Sequence, residues 1–282
     1  MQTRLTCTLV TAVSLMMIFV AAAPVYAQAT PAAAPAANGE DAANLAKQLS
    51  NPVASLVSVP FQANWDSGVG PNDDTRFLHN FQPVLPFSMN KDWNLIARVI
   101  VPYLGQPALV PGGEPTSGFS DILLSAFLSP AAPKGMIWGL GPVLSLPSSN
   151  DPFLGSGRWA AGPTGLVLVQ SGHWTYGALA NHVWSFAGDA GRGDVSQTYV
   201  QPFVAFGTAS GITYTASSES SLNWQADNGQ KLTIPLIANV SKVLRLGKRP
   251  MSIGIGAGRY FETPDGGPEW KIRASLTLIF PK

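Results

Sequence analysis

The chain has few charged residues and almost no net charge. Asp, Glu, Lys and Arg make up 12% of its 282 residues, about half of the roughly 25% that is usual in a soluble domain. A soluble protein with so little charge is hard to keep dispersed, whereas a protein whose outside faces lipid has no such need. The formal net charge of +1 gives no indication of nucleic acid or another polyanion as a partner.

The single cysteine, Cys7, lies in an apolar N-terminal stretch. Arg4 precedes residues 5–23, which are apolar, and a small-residue cleavage site ends at Ala27, so residues 1–27 are predicted to be a cleaved secretory signal peptide. An uncleaved membrane anchor is the alternative. The exported chain would then contain no thiol, which excludes a disulfide, a cysteine metal site and a thiol nucleophile.

After Ala27 the sequence has no apolar run of about 18 residues, so it predicts no transmembrane helix. Residues 28–50 begin with an Ala/Pro-rich linker, which has no means of building a core. Residues 40–49 fit a short amphipathic helix that carries Leu45 and Leu49 on one face and ends before Asn51-Pro52. The apolar residues that follow must be buried in a core or in alternating strands.

Residues 173–189 show the pattern that organises the rest of the chain. The residues at alternate positions form two sets. The set that begins at Trp174 has aromatic residues at both ends and small apolar residues between them, whereas the residues of the other set are small and partly polar. These are two faces of one strand. Trp174 and Trp184 are ten positions apart, roughly 25 Å along the membrane normal in a tilted strand, which is the height of the apolar band of an outer-membrane barrel. For this strand alone, a buried sandwich strand remains the alternative.

About twelve segments of this kind follow residue 50, which predicts one all-β domain over residues 51–282. Their approximate ranges are 53–66, 75–88, 93–103, 117–128, 136–146, 158–170, 173–187, 198–207, 212–222, 232–241, 251–261 and 269–280. Short connections alternate with longer ones such as 67–74, as periplasmic turns alternate with extracellular loops in outer-membrane proteins. The sequence therefore predicts an antiparallel transmembrane β-barrel of about 12 strands, with both termini in the periplasm. The helix at residues 40–49 either plugs the barrel mouth or, as we expect, is a periplasmic lead-in.

Charged residues indicate which face points inward, because a charge on the lipid face costs about 2–4 kcal/mol at the bilayer midplane. The predicted lumen-lining residues are Gln62, Asn64, Asp66, Arg76, Asn80, Gln82, Arg98, Asp121, Asn181, Glu219, Asn239, Lys271 and Arg273. The predicted membrane girdle is Trp65, Trp93, Tyr103, Trp174, Tyr176, Trp184, Phe186, Trp270 and Phe280. The polar lumen residues either satisfy one another, which is the favoured interpretation, or line a path for solutes, and both can hold at once. An inward stripe of Gly254, Gly256 and Gly258 leaves room in the lumen.

Some residues fit this pattern less well. Arg259, His79 and His182 fall on the outer face, where only a position near an interface or a bulge suits them. Six prolines argue against ordinary central strands, because each removes a hydrogen-bond donor from the ladder. They are Pro60, Pro83, Pro102, Pro163, Pro202 and Pro235.

The sequence offers no catalytic residues, metal site or cofactor site. His182 and Ser185 are three apart and so lie on opposite faces of a strand, whereas a catalytic pair needs hydrogen-bond contact. The chain has no G-x-S-x-G motif, and its glycine run at 254–258 lies within a strand and does not match a dinucleotide loop. We therefore expect that the protein is not an enzyme.

Several phrases resemble a known bacterial family. They are NPVASLVSVPFQ (51–62), GVGPND (68–73), WNLIAR (93–98), WTYGALANHVWSFAGD (174–189), QPF (201–203) and PDGGPEW (264–270). Together they are similar to the outer-membrane family named for the MetA pathway of phenol degradation, whose members are often labelled "transporter" or "neuromedin U". The resemblance covers nearly all of the chain after about residue 44. It implies a β-barrel of Gram-negative outer membranes that serves uptake of aromatic or other hydrophobic compounds, and it carries over no catalytic residues.

The favoured hypothesis is a porin-like passive channel or transporter for a small molecule in the bacterial outer membrane. Its expected partners are outer-membrane lipid and lipopolysaccharide, a small-molecule solute and the barrel assembly machinery, with no nucleic acid. A non-transport envelope protein that acts through its extracellular loops is the alternative. An outer-membrane lipid hydrolase, with a Ser/His pair assembled across strands, is a third and weaker hypothesis.

Overall fold

The structure is a computed structural model that describes residues 39–247 and 249–281, so the predicted signal peptide (1–27) and the linker up to residue 38 lie outside the described residues. The described chain has one helix, α1 (Gly39–Leu49), and fifteen strand segments. The strands are β1 (Val57–Val69), β2 (Asp74–Phe81), β3 (Val84–Ser88), β4 (Trp93–Gln106), β5 (Thr116–Phe119), β6 (Ile122–Pro130), β7 (Met136–Leu146), β8 (Arg158–Ser171), β9 (Trp174–Gly188), β10 (Ser196–Gly207), β11 (Ile212–Ser217), β12 (Ser220–Asn223), β13 (Leu232–Leu246), β14 (Arg249–Glu262) and β15 (Trp270–Phe280).

The fifteen segments form a closed antiparallel barrel of twelve wall strands. Three wall strands are each interrupted once, between β2 and β3, between β5 and β6, and between β11 and β12. The first and last strands pair from Val57↔Phe280 to Ser67↔Trp270 and close the wall. Closure leaves no open sheet edge in the hydrocarbon layer, where an unpaired backbone group has no water to bind. The predicted fold class is therefore confirmed.

The two ends of the barrel differ in the length of their connections. The short-turn end carries residues 89–92, 131–135, 172–173, 208–211 and 247, and the long-loop end carries 70–73, 107–115, 147–157, 189–195, 224–231 and 263–269. The prediction of a longer loop at 67–74 was wrong, because β1 continues through a bulge to Val69. Gly70 and Asp73, with φ of 74° and 55°, then turn the chain within four residues.

Five of the six prolines that argued against central strands lie at irregularities of the wall, and the sixth, Pro163, pairs with Pro142 of β7 in regular register. Proline has no N–H to offer its neighbour, so the partner strand leaves the ladder there. In each interruption the proline carbonyl still accepts one hydrogen bond from the interrupted strand: from Gln82 N to Pro60 O at 2.9 Å, from Ser120 N to Pro102 O at 2.9 Å, and from Ser218 N to Pro202 O at 3.1 Å. Pro83 lies within the first interruption, and Pro235 coincides with a register shift between β13 and β14. The strands thus accommodate the prolines by local breaks and bulges.

The outer face carries the predicted girdle residues. Most are exposed by a third or more of their area, from Tyr103 at 36% to Phe186 at 64%, and Trp93 packs its ring edge to face with Trp138. Arg259 lies on this face beside Trp270, just before the register shift between β13 and β14, and its guanidinium lies over the Trp270 ring, 5.3 Å from the ring centre. Such cation–π contact suits a charge at the height of an aromatic girdle.

Helix α1 packs inside the short-turn end of the barrel and does not extend from it as a lead-in. Its apolar face is buried against Leu56, Val243 and Ile279, and the last two are lumen-facing residues of β13 and β15. The face consists of Ala42, Leu45, Ala46 and Leu49, the spacing of one helical stripe. A lead-in would leave this stripe in water. Among residues 39–247 and 249–281, no helix has the length and apolar character needed to cross a bilayer.

The position of α1 can be tested by cysteine labelling of a chain expressed from residue 28. Ala42 is 6% exposed, whereas Asn44 in the same helix is exposed. We expect a water-soluble maleimide to label Asn44→Cys rapidly and Ala42→Cys at least about tenfold more slowly in the folded protein, because only the former meets water. Both should react at one rate after denaturation. Equal rates in the folded state would place the helix outside the barrel.

Candidate lumen site

Two adjoining cavities occupy the lumen of the described barrel. The short-turn cavity has a volume of about 340 Å³ and borders residues of α1 and the segment after it, such as Ala46 and Pro52. The long-loop cavity has a volume of about 620 Å³ and reaches the loop residues Ser156 and Asp194. Five side chains line both cavities, and we call them the junction: Gln62, Gln82, Arg98, Gln201 and Glu219.

Two of the junction residues lie at wall-strand interruptions. Gln82 precedes Pro83 in the gap between β2 and β3, and Glu219 lies in the gap between β11 and β12. At these points the chain is released from the regular pleat, and each polar side chain lines the lumen. The other three come from the inward faces of β1, β4 and β10. The proline-linked breaks therefore contribute directly to the polar junction.

Glu219 forms an ion pair with Arg273 across two intervening strands, β13 and β14. Nη1 and Nη2 of Arg273 donate to the two carboxylate oxygens at 2.8 and 2.7 Å, and its Nε donates to Asn64 Oδ1 at 2.7 Å. Gly256 of β14 lies opposite Arg273 of β15 in the sheet. A Cβ at Gly256 would collide with the Asn239 side chain. The glycine stripe of β14 thus gives the lumen side chains beside it the space that they occupy.

Asp66 is the fully buried centre of a second cluster near the long-loop end. Arg76 Nη2 lies 2.9 Å and Lys271 Nζ 3.2 Å from its carboxylate, and the hydroxyl of Tyr260 donates to it at 3.0 Å. Asp66 itself has no exposed area and Lys271 only 5%. Three donors therefore satisfy one buried carboxylate, which is the condition for a buried charge to be tolerated.

Arg98 differs from the other lumen cations in its partners. Its Nη2 donates to Gln82 Oε1 at 2.6 Å, and within the described residues no carboxylate lies within ion-pair distance of its guanidinium. The cations lining the two cavities are Arg98 and Arg273, and the junction carboxylate is Glu219. The centre of the lumen thus holds two positive charges against one negative charge that is already paired.

The long-loop end is narrowed by two loops that are tied together. Asp121, in the gap between β5 and β6, accepts hydrogen bonds from Ser156 N and Oγ, both at 2.7 Å. Arg192 of the 189–195 loop donates to the backbone oxygens of Pro152 and Gly155 at 2.7 and 2.6 Å. Arg158 and Asp194 form a further ion pair between these segments. Asp121 therefore serves as a loop anchor at the rim of the long-loop cavity.

One side of the lumen is apolar, which the expectation of a small, partly polar inner face did not include. An inward core fills the side formed by β4, β6, β8 and β9, and it consists of Val53, Ile96, Phe127, Leu166, Leu168 and Leu179. Val53 belongs to the segment between α1 and β1, so the N-terminal segment plugs this side as well. Phe127 and Leu179 also border the long-loop cavity.

The predicted lumen residues divide into two groups. Those that border a cavity are Gln62, Asn80, Gln82, Arg98, Asp121, Asn181, Glu219, Asn239 and Arg273. Those that form or adjoin the buried Asp66 cluster are Asn64, Asp66, Arg76 and Lys271. Gln201 and Tyr199 of β10 also line the lumen but were not predicted to do so, because apolar residues occupy both faces of β10 and hide the alternation. Gln201, an amide within an apolar segment, was the available signal.

A histidine–hydroxyl pair exists on the outer face but lacks the rest of a catalytic triad. Nδ1 of His182 lies 2.7 Å from Thr198 Oγ1, a residue of the neighbouring strand that also accepts from Trp224 Nε1 at 2.9 Å. Nε2 of His182 is buried without a partner, so no acidic or amide group orients the ring as a triad requires. His79 packs between Phe61 and Phe77. Among the described residues, no group of three or more His, Cys, Asp or Glu side chains could hold a metal ion.

Solved structures share this architecture. An outer membrane channel from Pseudomonas putida F1 aligns over 80% of this chain and 94% of its own, at 15% identity and a TM-score of 0.59. The β domain of the Bordetella autotransporter BrkA covers 80% of this chain and 100% of its own at 9% identity and a TM-score of 0.44. Salmonella typhi outer membrane phospholipase covers 87% and 99% at 12% identity and 0.43. No family model matches the sequence, and no curated protein matches it. The likeness to the P. putida channel shows the fold of this chain, a β-barrel of the kind found in outer-membrane proteins.

The Asp66 cluster predicts a large effect of one charge on stability. We expect Asp66→Asn to lower the free energy of unfolding by about 3 kcal/mol or more, because it leaves the buried Lys271 and the half-buried Arg76 without their carboxylate. Asp41→Asn is the matched control, since it breaks a largely exposed pair with Arg245 and should cost less than about 1 kcal/mol. Urea unfolding of the refolded proteins in detergent, followed by heat-modifiable migration, measures both. Equal stability of the two variants would contradict the prediction.

Proposed function

We propose that the protein is a passive channel that lets a small molecule cross the bacterial outer membrane. The observation that carries the proposal is the pair of lumen cavities, which share one polar junction inside a closed wall. A barrel that served only as a scaffold could fill its lumen with side chains, as eight-stranded barrels do. The fold similarity to the P. putida outer membrane channel is in keeping with this proposal.

The proposed path runs from the long-loop end through the junction to the short-turn end. By the usual orientation of such barrels, the long loops face the outside and the short turns the periplasm. Helix α1 borders the short-turn cavity, so a passing solute would move beside α1 or displace it. The apolar side of the lumen, with Phe127 and Leu179, favours a solute with a hydrophobic or aromatic part.

The finer assignments belong to the same proposal. Membership of the family named for the MetA pathway of phenol degradation rests on the sequence resemblance alone and would add aromatic compounds as the solutes. Delivery by a cleaved signal peptide and insertion by the barrel assembly machinery are the export route that we propose. We also propose that the chain is not an enzyme, since the outer-face pair of His182 and Thr198 has no group that orients it.

The loop-centred alternative can be separated from transport by experiment. If the protein acts through its extracellular loops, removal of residues 107–115 or 189–195 should abolish its role while solute flux stays unchanged. If it is a channel, a block within the lumen should reduce flux while the loops remain intact. A lipid hydrolase would lose activity when one histidine and one hydroxyl residue are replaced.

A block at the junction gives the sharpest test of the channel proposal. Gln201→Trp places a large ring where both cavities meet, and we expect it to lower single-channel conductance in planar bilayers and solute flux in liposome swelling by about fivefold or more, because the path narrows. Val204→Trp, three positions along the same strand, faces lipid and should leave both unchanged. A wild-type barrel that folds but conducts nothing in either assay would overturn the proposal.

A further inference from the structure

We propose that Arg98 binds the carboxylate of the transported solute, so that the solutes of this channel are small organic anions with an apolar body. This inference rests on the proposed function and deepens it by naming the substrate class. It is carried by three features of the lumen: the partners of Arg98, the charge balance of the junction, and the apolar side of the long-loop cavity.

The first feature is the free hydrogen-bonding capacity of Arg98. A guanidinium has five N–H donors. Within the described residues, the Arg98 side chain donates one hydrogen bond to the protein, from Nη2 to Gln82. Arg273, which lines the short-turn cavity, is by contrast bound by Glu219 on both Nη atoms and by Asn64 on Nε. The remaining edge of Arg98 borders both cavities, where a ligand can meet it.

The second feature is the charge that an entering anion would meet. The carboxylates that line the long-loop cavity are all engaged by protein donors: Asp121 by Ser156, Asp194 by Arg158, and Glu219 by Arg273. Glu219 is therefore neutralised by its own partner, and Arg98 supplies the unmatched positive charge of the junction. An anion bound there would give Arg98 the counter-charge that Glu219 gives Arg273.

The third feature is the shape and polarity of the space beside Arg98. The long-loop cavity has a volume of about 620 Å³, and Arg98 shares its wall with the apolar residues Leu78, Ile100, Phe127 and Leu179. A cation beside the apolar side of an otherwise polar cavity orients a ligand that carries a charged head and an apolar body. A guanidinium fork matches a planar carboxylate in two parallel hydrogen bonds. Small aromatic or aliphatic carboxylates fit both requirements, whereas inorganic anions fit the first alone.

Benzoate and benzyl alcohol are the probes that test this assignment, because they share a ring and differ in charge at pH 7. We expect folded wild-type protein in detergent to bind benzoate in calorimetry, and Arg98→Gln to weaken that binding about 10- to 100-fold, the range of a hydrogen bond to a charged group. Arg249→Gln, which removes the same side chain from an exposed position, should bind benzoate as the wild type does. Should Arg98→Gln fail to refold, Arg98→Lys keeps the charge and should weaken binding by a smaller factor.

The same variants in liposomes separate the failure of this inference from the failure of the channel proposal. We expect the wild type to admit benzoate saturably, and Arg98→Gln to lose that saturation while its benzyl alcohol flux is unchanged. If both probes cross equally and Arg98→Gln alters neither binding nor flux, the anion site is wrong and the channel stands. If neither probe crosses but benzoate still binds through Arg98, the site stands and transport is wrong. Chloride displacing benzoate at equal concentration would also overturn the assignment, because it would show charge attraction without recognition of the apolar body.

Discussion

Proline in a membrane strand imposes the constraint on which the interior of this barrel depends. A wall strand in lipid must give its neighbours every backbone hydrogen bond, and a proline cannot donate one. Opposite Pro60, Pro102 and Pro202 the neighbouring strand breaks for two residues, and the lost ladder bonds are partly replaced by a bond to the proline oxygen. Each break carries one of three lumen-lining side chains: Gln82, Asp121 and Glu219. One backbone rule therefore accounts for the three interrupted strands and for three polar residues of the lumen.

The three break residues perform different tasks because their surroundings differ. Asp121 lies near the long-loop end, where backbone N–H groups of the 147–157 loop are within reach, and it holds that loop. Glu219 lies deeper, and the glycine stripe of β14 leaves the space in front of it open, so its partner is Arg273 from a strand three places away. Gln82 is neutral and binds Arg98 without cancelling its charge. Arg98 keeps an unpaired charge because an amide, and not a carboxylate, occupies the first break.

Local patterns in the sequence predict the wall better than the interior. The range 136–146 coincides with β7, and the alternation of residues 269–280 assigns Lys271 and Arg273 inward, because both depend on the two-residue period of a strand. Contacts between strands that are not neighbours leave no periodic signal, so the pairing of Glu219 with Arg273 could not be read from the sequence. The apolar core of the lumen was not predicted for a related reason. In β8 and β10 both faces are apolar, so the alternation does not show which face meets lipid and which face packs inside the lumen.

Arg98 is the lumen charge that the requirements of folding do not explain. A buried guanidinium is costly unless a counter-charge and hydrogen bonds compensate it, and this barrel supplies both for Arg273 and for Lys271. A lumen serving stability alone would treat Arg98 in the same way or place an apolar residue there, as it does at Ile96, two positions before it. Instead Arg98 has one amide partner and borders both cavities. A charge left with free donors where two cavities meet is better explained by a transient anionic ligand than by the requirements of folding.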